Sequence, residues 1–254
     1  MTWYVDIALV LTAVVGLSLG LLGGGGSILA VPVLVYVARV APAQAMAMSL
    51  LVVGGTSAVG AVAHGRTGLV EWRVAGLFGG AGIVTAFFGG RFTRLVPGRV
   101  LLFSFAVLMI IVGGWMLLRS REPAVDARSG RPPRLAAAGI AGALVGAVTG
   151  FLGVGGGFLI VPALMAFTGL DMRRAVGTSL VVIAINSTAA LLGHLGDGDP
   201  GWLLAAAFTL LSVGGALVGA RLGRRIAADR LRAVFAILVV MVGVAMALRT
   251  VLGG

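Results

Sequence analysis

The sequence predicts an all-α integral membrane protein made of two pseudo-symmetric repeats. Its composition, a series of hydrophobic segments and a similarity between its two halves lead to this prediction. Of the 254 residues, 59% are hydrophobic and only 11% are charged, whereas about 25% of the residues in a soluble domain are charged. The chain has no cysteine, which excludes disulfides, thiolate metal sites and a cysteine nucleophile.

Eight hydrophobic segments follow one another, and most of the intervals between them contain arginine, proline or aspartate. The segments cover approximately residues 5–38, 43–63, 70–90, 99–118, 135–169, 175–193, 201–220 and 231–252. The one clear polar interval, 119–134, contains three prolines and five arginines. We therefore divide the chain into a first transmembrane repeat (1–118), a cytoplasmic linker (119–134) and a second transmembrane repeat (135–254).

The two repeats superimpose without gaps when the sequence is shifted by 130 residues. The matching positions include Gly20 and Gly150, Gly23 and Gly153, Pro32 and Pro162, Ser49 and Ser179, Ser57 and Ser187, His64 and His194, and Trp72 and Trp202. A register kept over so many positions indicates a duplication. Internal repeats of this kind are the usual basis of alternating access in membrane carriers.

Glycine interrupts the first hydrophobic segment of each repeat. As one straight helix, residues 5–38 would be about 50 Å long, well beyond the roughly 30 Å thickness of the hydrocarbon core. Each glycine inside a helix costs about 0.5–1 kcal/mol relative to alanine. We therefore predict that the helix breaks at Gly23–Gly26, and at the equivalent residues 153–157, and that the second piece folds back as a hairpin.

The arginines favour this hairpin. All 19 basic residues are arginine, and they lie between apolar runs, where membrane topology explains them better than nucleic-acid binding. If each first segment crossed the membrane once, the two sides would hold eleven and eight arginines. With hairpins the repeats become inverted and the sides hold fourteen and five, which agrees better with the positive-inside rule. The linker then lies in the cytoplasm.

The paired breaks are the predicted substrate site, because irregular backbone survives in a membrane only when it is buried in protein or lines a wet cavity. Exposed backbone amides at the start of a short helix attract anions. A helix terminus contributes only about 0.3–1 kcal/mol, so several hydrogen bonds from nearby side chains are also required. The candidate binding residues are Gly23, Gly24, Gly25, Gly26, Ser27, Gly153, Gly155, Gly156, Gly157, Ser49, Ser57, Thr178, Ser179, Asn186, Ser187 and Thr188.

Two purely structural interpretations of these residues stay open. The glycines could serve only to let helices approach closely, and each hydroxyl could bond to the carbonyl four residues earlier in its own helix. A nucleotide-binding loop is excluded, because the chain has no lysine and no strand precedes either turn.

His64 and His194 are the only histidines, and they occupy equivalent positions. They are candidates for proton coupling, with interfacial anchoring as the alternative. A two-histidine zinc site lacks the third protein ligand of a catalytic centre, so we predict no metal and no cofactor. Arg91 and Arg221, also equivalent, are candidates for an anion vestibule or for lipid anchors. The acidic residues all fall at segment ends, so no buried carboxylate relay is visible.

The paired motif resembles the sulfite exporter TauE/SafE family, also called the toluene sulfonate uptake permease family. The resemblance rests on Gly20 to Ser27 followed by Pro32, on Gly150 to Gly157 followed by Pro162, and on Ala175 to Leu180. It implies a multi-pass carrier of the bacterial inner membrane for sulfite, sulfonates and related organosulfur anions. The expected partners are a small anionic substrate and the lipid bilayer, without nucleic acid.

The resemblance leaves the identity of the anion, the direction of transport, the coupling ion and the oligomeric state open. Two alternative functions remain. A non-transporting membrane partner or assembly protein is one alternative. An intramembrane Ser/His enzyme is the less favoured one, because no cysteine, mid-span acid or third metal ligand supports it.

Overall fold

The computed structural model describes residues 3–40, 42–93, 98–119, 135–152, 157–193, 201–223 and 225–252. This part of the chain is helical and contains no strand, which confirms the all-α prediction. Its α-helices are α1 (Trp3–Leu22), α2 (Ser27–Pro32), α3 (Pro42–Gly65), α4 (Trp72–Thr93), α5 (Gly98–Arg119), α6 (Leu135–Leu152), α7 (Gly157–Ala163), α8 (Met172–Gly193), α9 (Trp202–Gly223) and α10 (Ala228–Leu252).

Several helices are suited to crossing a membrane. By length and composition, three contain a full apolar span, at Met48–Gly65, Trp202–Gly223 and Ala228–Arg249. Large apolar side chains also face outward, for example Leu203 at 88% and Leu118 at 79% exposure. An outer surface this apolar matches lipid rather than water.

The first hydrophobic segment is divided within the described chain. Helix α1 ends at Leu22, the four residues Gly23–Gly26 form a 3₁₀ turn, and α2 follows and continues as a π-helical turn over Val33–Val37. Gly23 has φ +65°, a left-handed conformation that glycine adopts without steric cost. In the second half, α7 likewise continues as a π turn over Leu164–Thr168, two residues after Pro162. The prolines explain the π turns, since a residue without an N–H disturbs the helical hydrogen-bond ladder.

Helices from opposite halves pack closely through small residues. A Cβ on Gly16 or Gly20 of α1 would overlap the backbone of Ser212 or Ala216 of α9. Because these positions advance together, α1 and α9 run parallel. Helices α6 and α4 pack against each other in the same parallel way. A Cβ on Gly142 would overlap the backbone of Phe78, and one on Gly146 would overlap that of Gly82.

Equivalent helices of the two halves run antiparallel to each other. Gly54 of α3 faces Ser187 of α8, whereas Gly60 faces Leu180. Helices α5 and α10 are also antiparallel neighbours, since Gly113 faces Val240 and Gly243 faces Met109.

Three connections meet at one end of the bundle. Arg174 Nη1 contacts Glu71 Oε1 at 2.6 Å, which joins the α3–α4 and α7–α8 connections. Arg173 Nη2 donates to the Ile226 carbonyl at 2.9 Å and so brings in the α9–α10 connection. Asp171 Oδ1 accepts from the backbone N–H groups of Arg173 and Arg174, as an N-cap of α8.

Candidate functional site

The first glycine turn touches the start of helix α7 from the other half. A Cβ on Gly24 would overlap the carbonyl oxygen of Gly157, and a Cβ on Gly157 would lie 2.5 Å from Ser27 Oγ and 3.2 Å from the Gly24 carbonyl oxygen. Gly24 and Gly157 are both buried. Backbone from one half therefore approaches backbone from the other with no side chain between them, which only glycine permits.

The first turn also lies directly against helix α8. A Cβ on Gly23 would lie 2.5 Å from Ser179 Oγ and 3.2 Å from Val176 Cα. Ser179 is fully buried and donates its hydroxyl hydrogen to the Val176 carbonyl at 2.8 Å. Ile183 lies one turn further along α8, and its Cδ1 would lie 3.3 Å from a Cβ on Gly157. Helix α8 therefore contacts both the first glycine turn and the start of α7.

Ser27 closes the first turn. Its hydroxyl donates to the Gly24 carbonyl at 2.6 Å, and its backbone N–H bonds to the same oxygen. The turn is thus held by its own residues, and the serine at its end contributes to its shape.

The other polar candidates lie along helices α3 and α8. Ser49 and Ser187 are buried, and Ser187 packs against Gly54 where the two helices cross. Asn186 is half-buried, and its Oδ1 has no hydrogen-bond partner in the described part of the chain. Ser57 is fully buried and its hydroxyl likewise has none.

Two threonine candidates bond to backbone. Thr178 Oγ1 accepts a hydrogen bond from the Glu71 backbone N–H at 3.0 Å, at the end of the bundle. Thr188 is exposed and donates to the Ala184 carbonyl four residues earlier, at 2.8 Å. The structural interpretation, in which the hydroxyl bonds to a carbonyl of its own helix, thus fits Thr188.

His64 lies at the end of α3. It is 7% exposed, and its Nδ1 lies 3.0 Å from the Gly60 carbonyl oxygen. Since a carbonyl only accepts, Nδ1 carries the hydrogen. Its Cβ lies against Gly177 of α8. Arg221 is exposed near the end of α9, and the described residues contain no cluster of three metal-ligating side chains.

Several predicted positions lie outside the described residues. These are Gly153, Gly155, Gly156, His194 and the linker residues 120–134. Gly25 and Gly26 belong to the 3₁₀ turn. The contact between the first glycine turn and α7 is therefore described at Gly24, Ser27 and Gly157.

Thr56 and Ser212 were missed by the sequence reasoning. Both are fully buried, and neither hydroxyl has a hydrogen-bond partner in the described part of the chain. Their types alone gave no signal, because serine and threonine are common in membrane helices and usually bond to their own backbone. The 130-residue register placed Thr56 opposite Asn186, which was the one available hint.

A bundle of long apolar helices, in which a broken helical segment of one half meets helix α7 of the other half, is typical of a multi-pass membrane protein of the transporter class. The profile described as sulfite exporter TauE/SafE matches residues 8–246, and the chain belongs to this family. It is 36% identical over 238 residues to a probable membrane transporter protein of Xylella fastidiosa, covering 91% of this chain and 90% of the relative.

Other relatives carry the same description. The probable membrane transporter protein YdhB of Bacillus subtilis is 27% identical over 213 residues, covering 81% of this chain and 85% of the relative. The probable membrane transporter protein y4hK of Sinorhizobium fredii is 29% identical over 246 residues, covering 93% and 94%. No solved structure gives a significant match. The protein is thus a membrane transporter and not an enzyme.

Proposed function

We propose that this protein is a secondary transporter of small anions, and that its substrates are sulfur-containing oxyanions such as sulfite and sulfonates. The substrate binds where the broken segments meet, and alternating access exposes that position to each side in turn. The observation that carries the proposal is the direct backbone approach of Gly24 to Gly157 across the two halves. The family description names sulfite export, which agrees with this substrate class.

The chemistry at the breaks suits an anion. Broken helices leave backbone N–H groups without intrahelical partners, and such groups bind negative charge. Each hydrogen bond to a charged group contributes about 1.5–3 kcal/mol, so several together can offset the several kcal/mol needed to remove an anion from water. Ser27 closes the first turn and Ser179 lies against it, so both can add hydroxyl groups.

The proposal includes hairpins at the first segment of each repeat. Thr12 and Val15, which precede the first break, line one small cavity together with Val33 and Leu34, which follow it. Residues on both sides of the glycine turn thus lie side by side, as a chain that folds back requires. Inverted repeats follow, and the antiparallel pairs α3 with α8 and α5 with α10 support them.

The ion pair between Glu71 and Arg174 supports the same topology. If each first segment crossed the membrane once, these two residues would lie on opposite sides of the bilayer. We assign their side to the cytoplasm, because hairpins gather fourteen of the arginines there. The location is the bacterial inner membrane, since proteins of the outer membrane are characteristically β-barrels.

The test is binding of small anions to the purified protein. Sulfite, methanesulfonate, sulfate and acetate are added in turn and the melting temperature is recorded. A ligand at about 100 times its Kd stabilises the folded state by roughly 2.7 kcal/mol, which is a measurable shift. We expect a sulfur oxyanion to raise the melting temperature of the wild type but not that of Gly24→Ala.

Two further variants make this test specific. Gly80→Ala is the matched control, because a Cβ there meets no atom within 4 Å. Gly157→Ala is a milder change, since its nearest neighbour is the side-chain hydroxyl of Ser27. If no anion shifts the melting of a folded wild type, the carrier function is wrong and a non-transporting partner protein becomes the better account.

A further inference from the structure

Three buried hydroxyls differ from the other hydroxyls of the helices. Most serine and threonine side chains with a described bond donate to a carbonyl three or four residues earlier: Ser27, Thr85, Thr168, Ser179, Thr188 and Thr209. Thr56, Ser57 and Ser212 are fully buried, and their oxygens have no partner in the described ranges. Because a buried hydroxyl without a partner destabilises a fold, it needs another role.

Thr56 and Ser212 each lie one helical turn from a residue that lines a small cavity. The cavity has a volume of about 10 Å³, and Thr12, Val52 and Phe208 are among the residues that line it. Helices α3 and α9 run parallel here, since Gln44 faces Gly201 and Gly55 faces Thr209.

One helical turn beyond the cavity, the residues on the same faces of α3 and α9 are polar. Thr56 follows Val52 by four residues and Ser212 follows Phe208 by four, so each shares a helix face with a cavity residue. Gly16 of α1 packs on the backbone of Ser212 at this level. The two residues therefore lie on the faces of α3 and α9 that continue from the cavity, and the backbone of Ser212 also packs on α1.

The second half places a different polar group at the equivalent position. The 130-residue offset carries Thr56 onto Asn186 and Ser212 onto Gly82. A Cβ on Gly82 would lie 3.8 Å from Asn186 Nδ2, so the carboxamide occupies the space beside that glycine. Since Gly54 faces Ser187 and Gly60 faces Leu180, Thr56 and Asn186 lie within one turn of facing each other. Both polar positions are thus at the centre, where the halves meet.

These groups can donate hydrogen bonds but carry no charge. The sequence has no arginine, aspartate or glutamate between residues 43 and 63, 175 and 193, or 201 and 220. The free energy needed to remove an ion from water grows with the square of its charge, whereas its attraction to fixed neutral dipoles grows only in proportion to the charge. A neutral site therefore favours an anion with one charge over an anion with two.

We propose that Thr56 and Ser212 bind an oxygen of a monovalent oxyanion, such as a sulfonate, and that the site rejects dianions such as sulfate. This inference rests on the proposed function and narrows its substrate class. The returning arm of the first broken segment contributes Ala30 to the cavity one turn away, so the site lies on the same faces of α3 and α9 as that segment.

The test is calorimetric titration of the purified protein with methanesulfonate and with sulfate. We expect Thr56→Val and Ser212→Ala each to raise the Kd for methanesulfonate by about tenfold or more, because each removes a hydrogen bond to a charged ligand. Without ligand, Thr56→Val should melt at the same temperature as the wild type or higher, since an unpaired buried hydroxyl is removed. A structural hydroxyl would give the opposite shift.

Thr209→Val is the matched control. It removes a threonine hydroxyl on the same helix as Ser212, but one that already bonds to the Ala205 carbonyl at 2.7 Å. Its Kd should stay within about twofold of the wild type.

The outcomes separate the two proposals. If the wild type binds neither anion, the proposed function fails and this inference fails with it. If methanesulfonate binds the wild type, Thr56→Val and Ser212→Ala equally, only the hydroxyl site is overturned. If sulfate binds the wild type as tightly as methanesulfonate, the selection for a single charge is wrong.

Discussion

At the scale of single residues, a missing side chain matters most at Gly24. The carbonyl of Gly157 occupies the space that a Cβ on Gly24 would need. The sequence predicted the break, because several adjacent glycines disfavour a helix. It could not predict that Gly24 meets Gly157, since a contact between residues 133 positions apart depends on how all the helices pack.

Thr178 shows how a candidate binding residue can hold the fold together. Its hydroxyl accepts the backbone N–H of Glu71. We expect Thr178→Val to lower the free energy of unfolding by about 1 kcal/mol, because the N–H loses its acceptor. Thr188→Val, which removes an exposed hydroxyl bonded within its own helix, should change stability by less than about 0.5 kcal/mol.

Chemical denaturation of the two variants measures the difference. Anion affinity should be the same in Thr178→Val as in the wild type. A clear loss of affinity, with stability unchanged, would return Thr178 to the binding site and contradict the structural role.

At the scale of elements, adjacent glycines on α9 have different surroundings. A Cβ on Gly215 would overlap the Ala13 carbonyl of α1, whereas one on Gly214 meets nothing within 4 Å. We expect Gly215→Ala to destabilise the protein by about 1–3 kcal/mol through overpacking. Gly214→Ala should be neutral or stabilising by up to about 1 kcal/mol, because alanine favours the helix.

Thermal melting of the two alanine variants, compared with the wild type, tests this difference. Gly113 and Gly114 on α5 offer an independent repeat, since only a Cβ on Gly113 meets the partner helix, 2.6 Å from Val240 Cγ2. Equal melting of Gly214→Ala and Gly215→Ala would contradict the close packing of α1 on α9.

The elements themselves were largely predictable. The apolar run at 70–90 became α4 at Trp72–Thr93, and the run at 201–220 became α9 at Trp202–Gly223. These two helices are related by the same 130-residue shift as the sequence. The π turn over Val33–Val37 was not predicted, because a proline such as Pro32 signals a disturbed helix but not how the ladder re-forms.

At the scale of the whole molecule, the end of the bundle that carries the Glu71 and Arg174 pair defines one side of the membrane. The absence of cysteine makes single-cysteine labelling direct, because no native thiol reacts. We expect Thr67→Cys and Ala227→Cys, both at exposed loop positions, to react with a membrane-impermeant thiol reagent from the same side.

Gln44→Cys, near the opposite end of α3 and exposed, should react only from the other side. If Thr67→Cys and Ala227→Cys react from opposite sides, each first segment crosses the membrane once and the inverted repeats are wrong.

The pairing of the halves was beyond the sequence. Helix α1 packs on α9 of the other half, and α6 packs on α4, so the two halves of the chain interlock. The 130-residue register predicted equivalent positions in the two halves. It did not predict which helices meet, because in lipid the small residues that favour such contacts are common on many helix faces. The unpaired hydroxyls of Thr56 and Ser212 became visible only after this packing was known.

The central claim is that a small anion crosses the membrane by binding where the two broken segments meet. Flux of methanesulfonate into liposomes that contain the purified protein tests it most directly. We expect uptake by the wild type and by Gly80→Ala, and none by Gly24→Ala that remains folded by its melting profile. Uptake by Gly24→Ala equal to that of the wild type, or no flux of any sulfur oxyanion by the folded wild type, would contradict the account.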